Sequence, residues 1–281
     1  MINGKTKTVC LLGSPVEHSF SPMMHNASFQ KLGINAKYLA FDVHPSSIEQ
    51  AVEGVRAFGF LGCNVTIPHK EAVMQHLDEI DPKAERIGAV NTVVNENGRL
   101  KGYNTDVDGF IESFKTFHYD FKNKKIAVLG TGGASKAVVV GLLYQGVGEI
   151  HIFSRSYDKS SSFCDRIDNS LKAMTYDQLD ETFPYDVVVN TTPVGMHPNE
   201  GKSVIHVENL GHKETIFYDL IYNPLETEFL RQGRESGRRT LNGLDMLIYQ
   251  GIYALRYWVD FDHSKWTRDD VIEVLKASHI I

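Results

Sequence analysis

Short apolar runs alternate along the chain with stretches whose apolar residues recur at helical spacing. That is the pattern of an α/β protein built on parallel strands. TVCLLG (8–13) predicts a buried strand and SPMMHNASFQKLG (21–33) a helix, with Ser21 placed to cap it, Pro22 at its first helical position and Gly33 to end it. KYLAFDV (37–43) is a second strand. Phe58 to Val65 predicts a third, after which Pro68 suits the first turn of a helix running to about Leu77. Lys70 would then face the positive end of that helix, where a cation is disfavoured. GAVNTVV (88–94) and RLKGYNTD (99–106) flank Asn97 and Gly98, residues that tolerate positive φ, so a hairpin is expected.

Phe110 to Phe117 is apolar at helical spacing, and HYDFKNKK (118–125) has the polarity of a boundary. The pattern then restarts. KKIAVLG is a buried strand, GTGGASKAVVVGLLYQG a glycine-rich turn into a helix, and EIHIFSR, YDVVVNTT and TIFYDLI are later strands. Beyond Gly243, residues Leu244, Leu247, Ile248, Ile252 and Leu255 share one helix face, and Thr267 with Asp270 resembles a capping box for a last helix. The expectation is an α/β domain over 1–108, a Rossmann-like dinucleotide-binding domain over 109–240, and C-terminal helices over 241–281 that return to the first domain.

The 281 residues suffice for two modest cores. A net charge of -6 supplies no general basic field, which argues against nucleic acid as a partner. No apolar run reaches the ~18 residues of a membrane span, and MINGKTKTVCLLG has no signal-peptide pattern, so a cytoplasmic protein is expected. Cys10, Cys63 and Cys164 form no CxxC pair and read as small buried hydrophobes. His18, His25, His69 and His76 lack HExxH-type pairing, so no metal is expected.

Two stretches carry chemistry. KIAVLGTGGASKA places Gly130, Gly132 and Gly133 between a strand and a helix whose N-terminus can hold a pyrophosphate, although Ser135 departs from the GxGxxG pattern. The next strand ends in Ser154 and Arg155, where an NAD site usually presents a carboxylate to the ribose. An Arg there, with Lys159 nearby, can pair with a 2′-phosphate, so NADP is favoured over NAD. In GCNVTIPHKEAV (62–73), Asn64, Thr66 and Lys70 lie within seven residues.

GSPVEHSFSPMMHN, NVTIPHK, GAVNT, GYNTD, GTGGASKA, NTTPVGM and NGLDMLIYQ occur in this order over almost the whole chain, which resembles the shikimate dehydrogenase family. The resemblance implies reversible reduction of 3-dehydroshikimate by NADPH in aromatic amino acid biosynthesis, with a substrate domain completed by the C-terminal helices. It implies that Ser19 and Ser21 bind the substrate carboxylate, that Asn64, Thr66, Asn91 and Gln250 hold ring hydroxyls, and that Lys70 and Asp106 are the catalytic pair. Gly130, Thr131, Gly132, Gly133 and Ala134 would cradle NADP, with Ser154, Arg155 and Lys159 at its 2′-phosphate. Gly195, Met196, Leu220 and Gly243 would lie toward the nicotinamide, and Tyr222 near the active site. Chemistry points the same way, since hydride transfer to a ketone builds negative charge that an ammonium can stabilise and protonate. The expected partners are the small-molecule substrate alone or a second copy in a homodimer. An NAD-using quinate/shikimate dehydrogenase and a non-catalytic NADP-binding sensor are the alternatives.

Overall fold

The computed structural model describes residues 2–208 and 210–281. They form two compact units, Met1–Gly109 with Ile248–Ile281, and Phe110–Leu247.

In the first unit the strands are β1 (Lys7–Gly13), β2 (Ala36–Asp42), β3 (Gly62–Val65), β4 (Glu79–Ile80), β5 (Thr92–Glu96) and β6 (Arg99–Tyr103), in the sheet order β2-β1-β3-β5-β6-β4. β1 is parallel to β2 and β3, while β5 runs antiparallel to both β3 and β6. The apolar run of β1 explains its central place, because Val9, Cys10, Leu11 and Leu12 are all buried. Asn97 and Gly98, at φ 56° and 93°, close the expected hairpin between β5 and β6. Helices α1 (Ser21–Lys31), α2 (Ile48–Ala57) and α3 (Pro82–Ile87) complete the N-terminal part, and α4 (Asp106–Ser113) leads out of it.

Two local expectations are corrected. Ser21 does not cap α1. The N-cap is Phe20, whose backbone is helical, and Ser21 instead donates its N–H to Ser19 Oγ at 3.3 Å. An N-cap needs an extended backbone to turn its side chain onto the first-turn amides, and Phe20 has neither that conformation nor an oxygen. Nor does a helix start at Pro68. The chain turns through Glu71 and then makes a 3₁₀ segment, Ala72–His76. The carbonyl of Lys70, which a helix would have used, accepts instead from Val90 N–H at 2.8 Å, and the buried His69 ring bonds Val43 O at 2.7 Å. Cross-chain bonding has displaced the local ladder. The dipole of the expected helix is therefore absent at Lys70.

In the second unit β7 (Lys125–Leu129), β8 (Glu149–Ser154), β9 (Lys172–Thr175), β10 (Val187–Asn190), β11 (Ile216–Asp219) and β12 (Arg239–Leu241) form a parallel sheet in the order β12-β11-β10-β7-β8-β9. From β7 the chain steps outward to β9, then crosses to β10 and steps the other way. This is the doubly wound order, with its switch point between β7 and β10. Helices α5 (Gly133–Tyr144), α6 (Tyr157–Ile167) and α7 (Glu228–Glu235) connect the strands.

α8 (Leu244–Trp258) and α9 (Arg268–Ala277) end the chain. Trp258 Nε1 donates to Val93 O at 2.9 Å, and a Cβ at Gly62 would collide with that same pair, so Gly62 makes room for the contact. α9 starts on the expected capping box, Asp270 Oδ2 accepting from Thr267 N–H and Oγ1 at 2.7 and 2.9 Å, and it packs on α1. The C-terminal segment of the first unit begins at Ile248 rather than residue 241. β12 pairs with β11, and Asn242 and Gly243 then bond Leu225 O and Ile221 O at 2.9 and 3.0 Å, which keeps this stretch with the second sheet.

Candidate active site

The hairpin builds the polar row of the first unit. Its register sets Thr92 opposite Tyr103, and Asn91 N–H donates to Tyr103 O at 3.0 Å, so the GAVNT and GYNTD stretches lie side by side. β3 adds Asn64 in register with Thr92. Lys70 Nζ donates to Asp106 Oδ2 at 2.7 Å, and Asn91 Nδ2 donates to Asp106 Oδ1 at 2.8 Å. Each carboxylate oxygen thus has one partner, which fixes its plane. Asp106 is the first residue of α4, its N–H held by Asn104 Oδ1 at 3.1 Å. The Lys70 and Asp106 side chains are 25% and 12% exposed, sheltered enough to be ordered and open enough to meet a ligand.

Asn91 Oδ1 accepts from Thr105 N–H at 2.8 Å and from Thr92 Oγ1 at 2.9 Å, so its amide is locked. Asn64 is likewise held: Nδ2 donates to Asn91 O at 3.0 Å and Thr92 Oγ1 at 3.2 Å, while Oδ1 accepts from the Tyr38 hydroxyl at 2.7 Å. A chain Tyr38–Asn64–Asn91–Asp106–Lys70 runs through the first unit. Tyr38, Thr92, Asn104 and Thr105 were missed in the sequence, and only the inward position of Tyr38 in the alternating KYLAFDV strand hinted at one of them. The Tyr38 ring stacks on His25 at 4.5 Å, and full burial pushes the His25 imidazole down to about 3, so it is neutral there.

Ser19 is half-buried. Accepting from Ser21 N–H leaves its own hydroxyl hydrogen for another acceptor. Thr66 follows β3 and is half-buried against Gly13, where a side chain would overlap its methyl group. Gln250 is half-buried on α8, next to Gly251, which lies against Met24 and His25 of α1.

In the second unit the candidate cofactor residues lie at the C-terminal ends of the strands, where open parallel sheets bind ligands. Gly130 ends β7 at φ 110°, close to Thr191 Oγ1. A Cβ at Gly132 or Gly133 would meet no atom within 4 Å, and α5 starts with no side-chain cap. Uncapped first-turn amides behind two open glycines fit a pyrophosphate. Thr131 and Ala134 are half-buried beside them. Ser135, the departure from the glycine pattern, bonds Thr191 Oγ1 at 2.5 Å and so ties α5 to the loop after β10. Ser154 is buried, its Oγ donating to Ser156 O at 2.5 Å and accepting Ser156 N–H at 3.2 Å. Arg155 and Lys159 are exposed and enter no ion pair among the described residues. Two free cations at this strand end suit a 2′-phosphate.

Gly195 at φ 108° turns the loop after β10, and Met196 is 45% exposed beside it. Gly243 touches the Leu220 backbone so closely that any side chain would overlap it. Tyr222 is largely buried, which raises its phenol. Asp219, at the end of β11, is fully buried, and its carboxyl is pushed up to about 6 by burial, opposed by hydrogen bonds from Thr227, Ile221 N–H and Asn190. A folded-state value above the unfolded one means that the stability Asp219 contributes is complete below about pH 4 and is lost as pH rises through about 6. The loss is on the order of 3 kcal/mol. Asp219→Asn should therefore be most destabilising at acid pH and progressively less so toward neutrality, as urea denaturation of both proteins at pH 4.5 and 7.5 would show.

A doubly wound unit with an open glycine turn and a unit carrying a lysine–aspartate pair in a polar row, in one chain, define a nicotinamide-nucleotide-dependent dehydrogenase. Residues 11–93 match the shikimate dehydrogenase substrate binding domain, and residues 112–224 match shikimate / quinate 5-dehydrogenase. The chain belongs to the shikimate dehydrogenase family. It is 47% identical over 261 residues to the shikimate dehydrogenase (NADP(+)) of Caldanaerobacter subterraneus, covering 92% of this chain and 93% of the relative. It is similar to the crystal structure of shikimate 5-dehydrogenase from Thermus thermophilus in complex with NADP(H) and shikimate, with a TM-score of 0.85 and 35% identity over 96% of this chain and all of that one. The ligand-free 5-ketofructose reductase of Gluconobacter also shares the fold, with a TM-score of 0.87 and 30% identity over 98% of this chain and all of that one. The substrate must therefore be argued from the side chains, not from the fold. Among the described residues no helix is long and apolar enough to cross a membrane.

Proposed function

We propose that this chain catalyses the reversible NADPH-dependent reduction of 3-dehydroshikimate to shikimate, a step of aromatic amino acid biosynthesis. The observation that carries this reading is the 2.7 Å pair of Lys70 and Asp106, locked by Asn91 into one polar row with Asn64. When bound, NADP supplies the hydride or takes it back. The Lys70 ammonium stabilises charge growing on the ketone oxygen and passes it a proton, and Asp106 holds the amine on target. One hydride to carbon and one proton to oxygen balance the reduction.

Ser19 donates to the substrate carboxylate, and Ser21 stands behind it, its N–H bonded to Ser19 Oγ. Thr66 and Gln250 take ring hydroxyls, as does Asn64 through the second lone pair of its carbonyl oxygen, while Asn91, whose amide oxygen already accepts from Thr105 and Thr92, serves by holding Asp106 in place. Gly130 to Ala134 cradle the pyrophosphate, Arg155 and Lys159 hold the 2′-phosphate, and Gly195, Met196, Leu220 and Gly243 shape the nicotinamide end with Tyr222 near it. Ser154 serves by setting the turn that presents Arg155. The enzyme works in the cytoplasm as a monomer or homodimer, without a nucleic-acid partner, in keeping with its net charge of -6.

The direct test is NADPH consumption on adding 3-dehydroshikimate, with the product identified. Stoichiometric shikimate is expected, and NADPH left unconsumed by an enzyme that binds it would contradict the reading. Ser19→Ala should raise the Michaelis constant for shikimate several-fold, a loss of about 1 kcal/mol, without changing that for NADP. A change confined to NADP would move Ser19 out of the substrate site.

A further inference from the structure

Asp219 has no part in the reaction described above, yet it sits at the meeting point of three segments. Its Oδ2 accepts from Thr227 Oγ1 at 2.6 Å, and its Oδ1 accepts from Asn190 Nδ2 at 3.0 Å and Ile221 N–H at 3.1 Å. Asn190 ends β10 and organises the loop that follows: its Oδ1 accepts from Thr192 N–H and Oγ1 at 3.0 and 2.7 Å, its Nδ2 reaches Val194 O at 3.3 Å, and its backbone carbonyl accepts Leu220 N–H at 3.0 Å. Thr227 caps α7 through Leu230 N–H, and its side chain packs against Gly195, where a Cβ would come within 3.2 Å of it. Ile221 in turn receives Gly243 N–H on its carbonyl at 3.0 Å. Gly195, Leu220 and Gly243 thus depend for their placement on one buried carboxylate.

We infer that Asp219 is a positioning residue for the nicotinamide end of the cofactor site, clamping the loop after β10 to the loop after β11 and the start of α7. The inference rests on the reading that NADP binds this unit. A buried carboxylate is an expensive fastener, since burial disfavours its charge. Its advantage is capacity: as an acceptor only, it can receive hydrogen bonds from three segments together, which no neutral side chain of its size can do. The position fits, because both strands it joins end beside the switch-point side of the sheet, where a bound ligand would lie.

The clamp is tested by measuring NADPH dissociation constants through the cofactor's fluorescence, together with shikimate binding and kcat. Asp219→Asn keeps the shape but turns one acceptor into a donor facing Thr227 or Asn190. It should weaken NADPH binding on the order of tenfold and lower kcat, with shikimate affinity unchanged within about twofold. Thr227→Val should show a smaller loss of the same kind, and Thr227→Ser, which keeps the hydroxyl, should restore NADPH binding. If Asp219→Asn fails to fold, the Thr227 pair decides alone. NADPH affinity within about twofold of wild type in a destabilised Asp219→Asn or Thr227→Val protein would overturn the inference, leaving Asp219 with a purely structural role. A wild-type chain that binds no NADPH would instead overturn the cofactor reading and the inference with it.

Discussion

Replacing Lys70 by Met lowers kcat by about 10²–10⁴-fold while shikimate still binds. The substitution keeps an unbranched side chain, one atom shorter, and removes the ammonium that both stabilises an oxyanion and donates a proton to it. Asp106 remains held by Asn91, so the row should survive. Asp106→Asn should also be slow, because the amine loses the partner that aims it at 2.7 Å. The double variant loses less than the product of the two single losses, since groups that act as a unit are not additive. Steady-state kinetics with a separate shikimate binding measurement checks each statement. Near-normal turnover in Lys70→Met would remove Lys70 from the chemistry.

The second large effect is on cofactor choice. Arg155→Ala weakens NADP by about one to two powers of ten, the loss of one charge-assisted pair worth roughly 1.5–3 kcal/mol, and leaves NAD nearly unchanged. Adding Lys159→Ala takes the ratio further toward NAD. Arg155 is exposed and enters no ion pair among the described residues, so the change removes no internal contact. Ser154 is a poorer place to intervene, because its hydroxyl is committed to Ser156 and a carboxylate there would be buried. The ratio of kcat/KM with the two cofactors, at fixed ionic strength because salt screens the phosphate contact, reads the effect. An unchanged ratio in Arg155→Ala would mean that the 2′-phosphate is recognised elsewhere.

Much of this architecture was legible in the chain. The buried runs at 126–129 and 187–189, the glycine turn and the Asn97–Gly98 hairpin are local signals, and each specifies its own element. The failures share a cause. Pro68 looks like a helix start, but Val90 claims the Lys70 carbonyl from far along the chain. Ser21 looks like a cap, but Phe20 keeps a helical backbone and Ser19 supplies the oxygen. The second boundary moved into α8 because β12, three residues long, pairs with β11. Tyr38 and Asp219 could not be singled out as polar hubs, since their partners come from other strands and loops. Lys70 and Asp106 were found through motif resemblance rather than through periodicity, and the β3–β5 pairing, the Val90–Lys70 backbone bond and the hairpin together explain why two stretches so far apart form one row.

One assay bears most directly on the central claim: kcat/KM of the wild-type chain for shikimate and for quinate, each with NADP and with NAD, followed at the absorbance of the reduced nicotinamide. Shikimate with NADP should exceed shikimate with NAD by about tenfold or more, the difference expected from one charge-assisted contact, and should exceed quinate with either cofactor. Equal or greater efficiency with NAD, or with quinate, would contradict the account and make the chain a quinate/shikimate dehydrogenase.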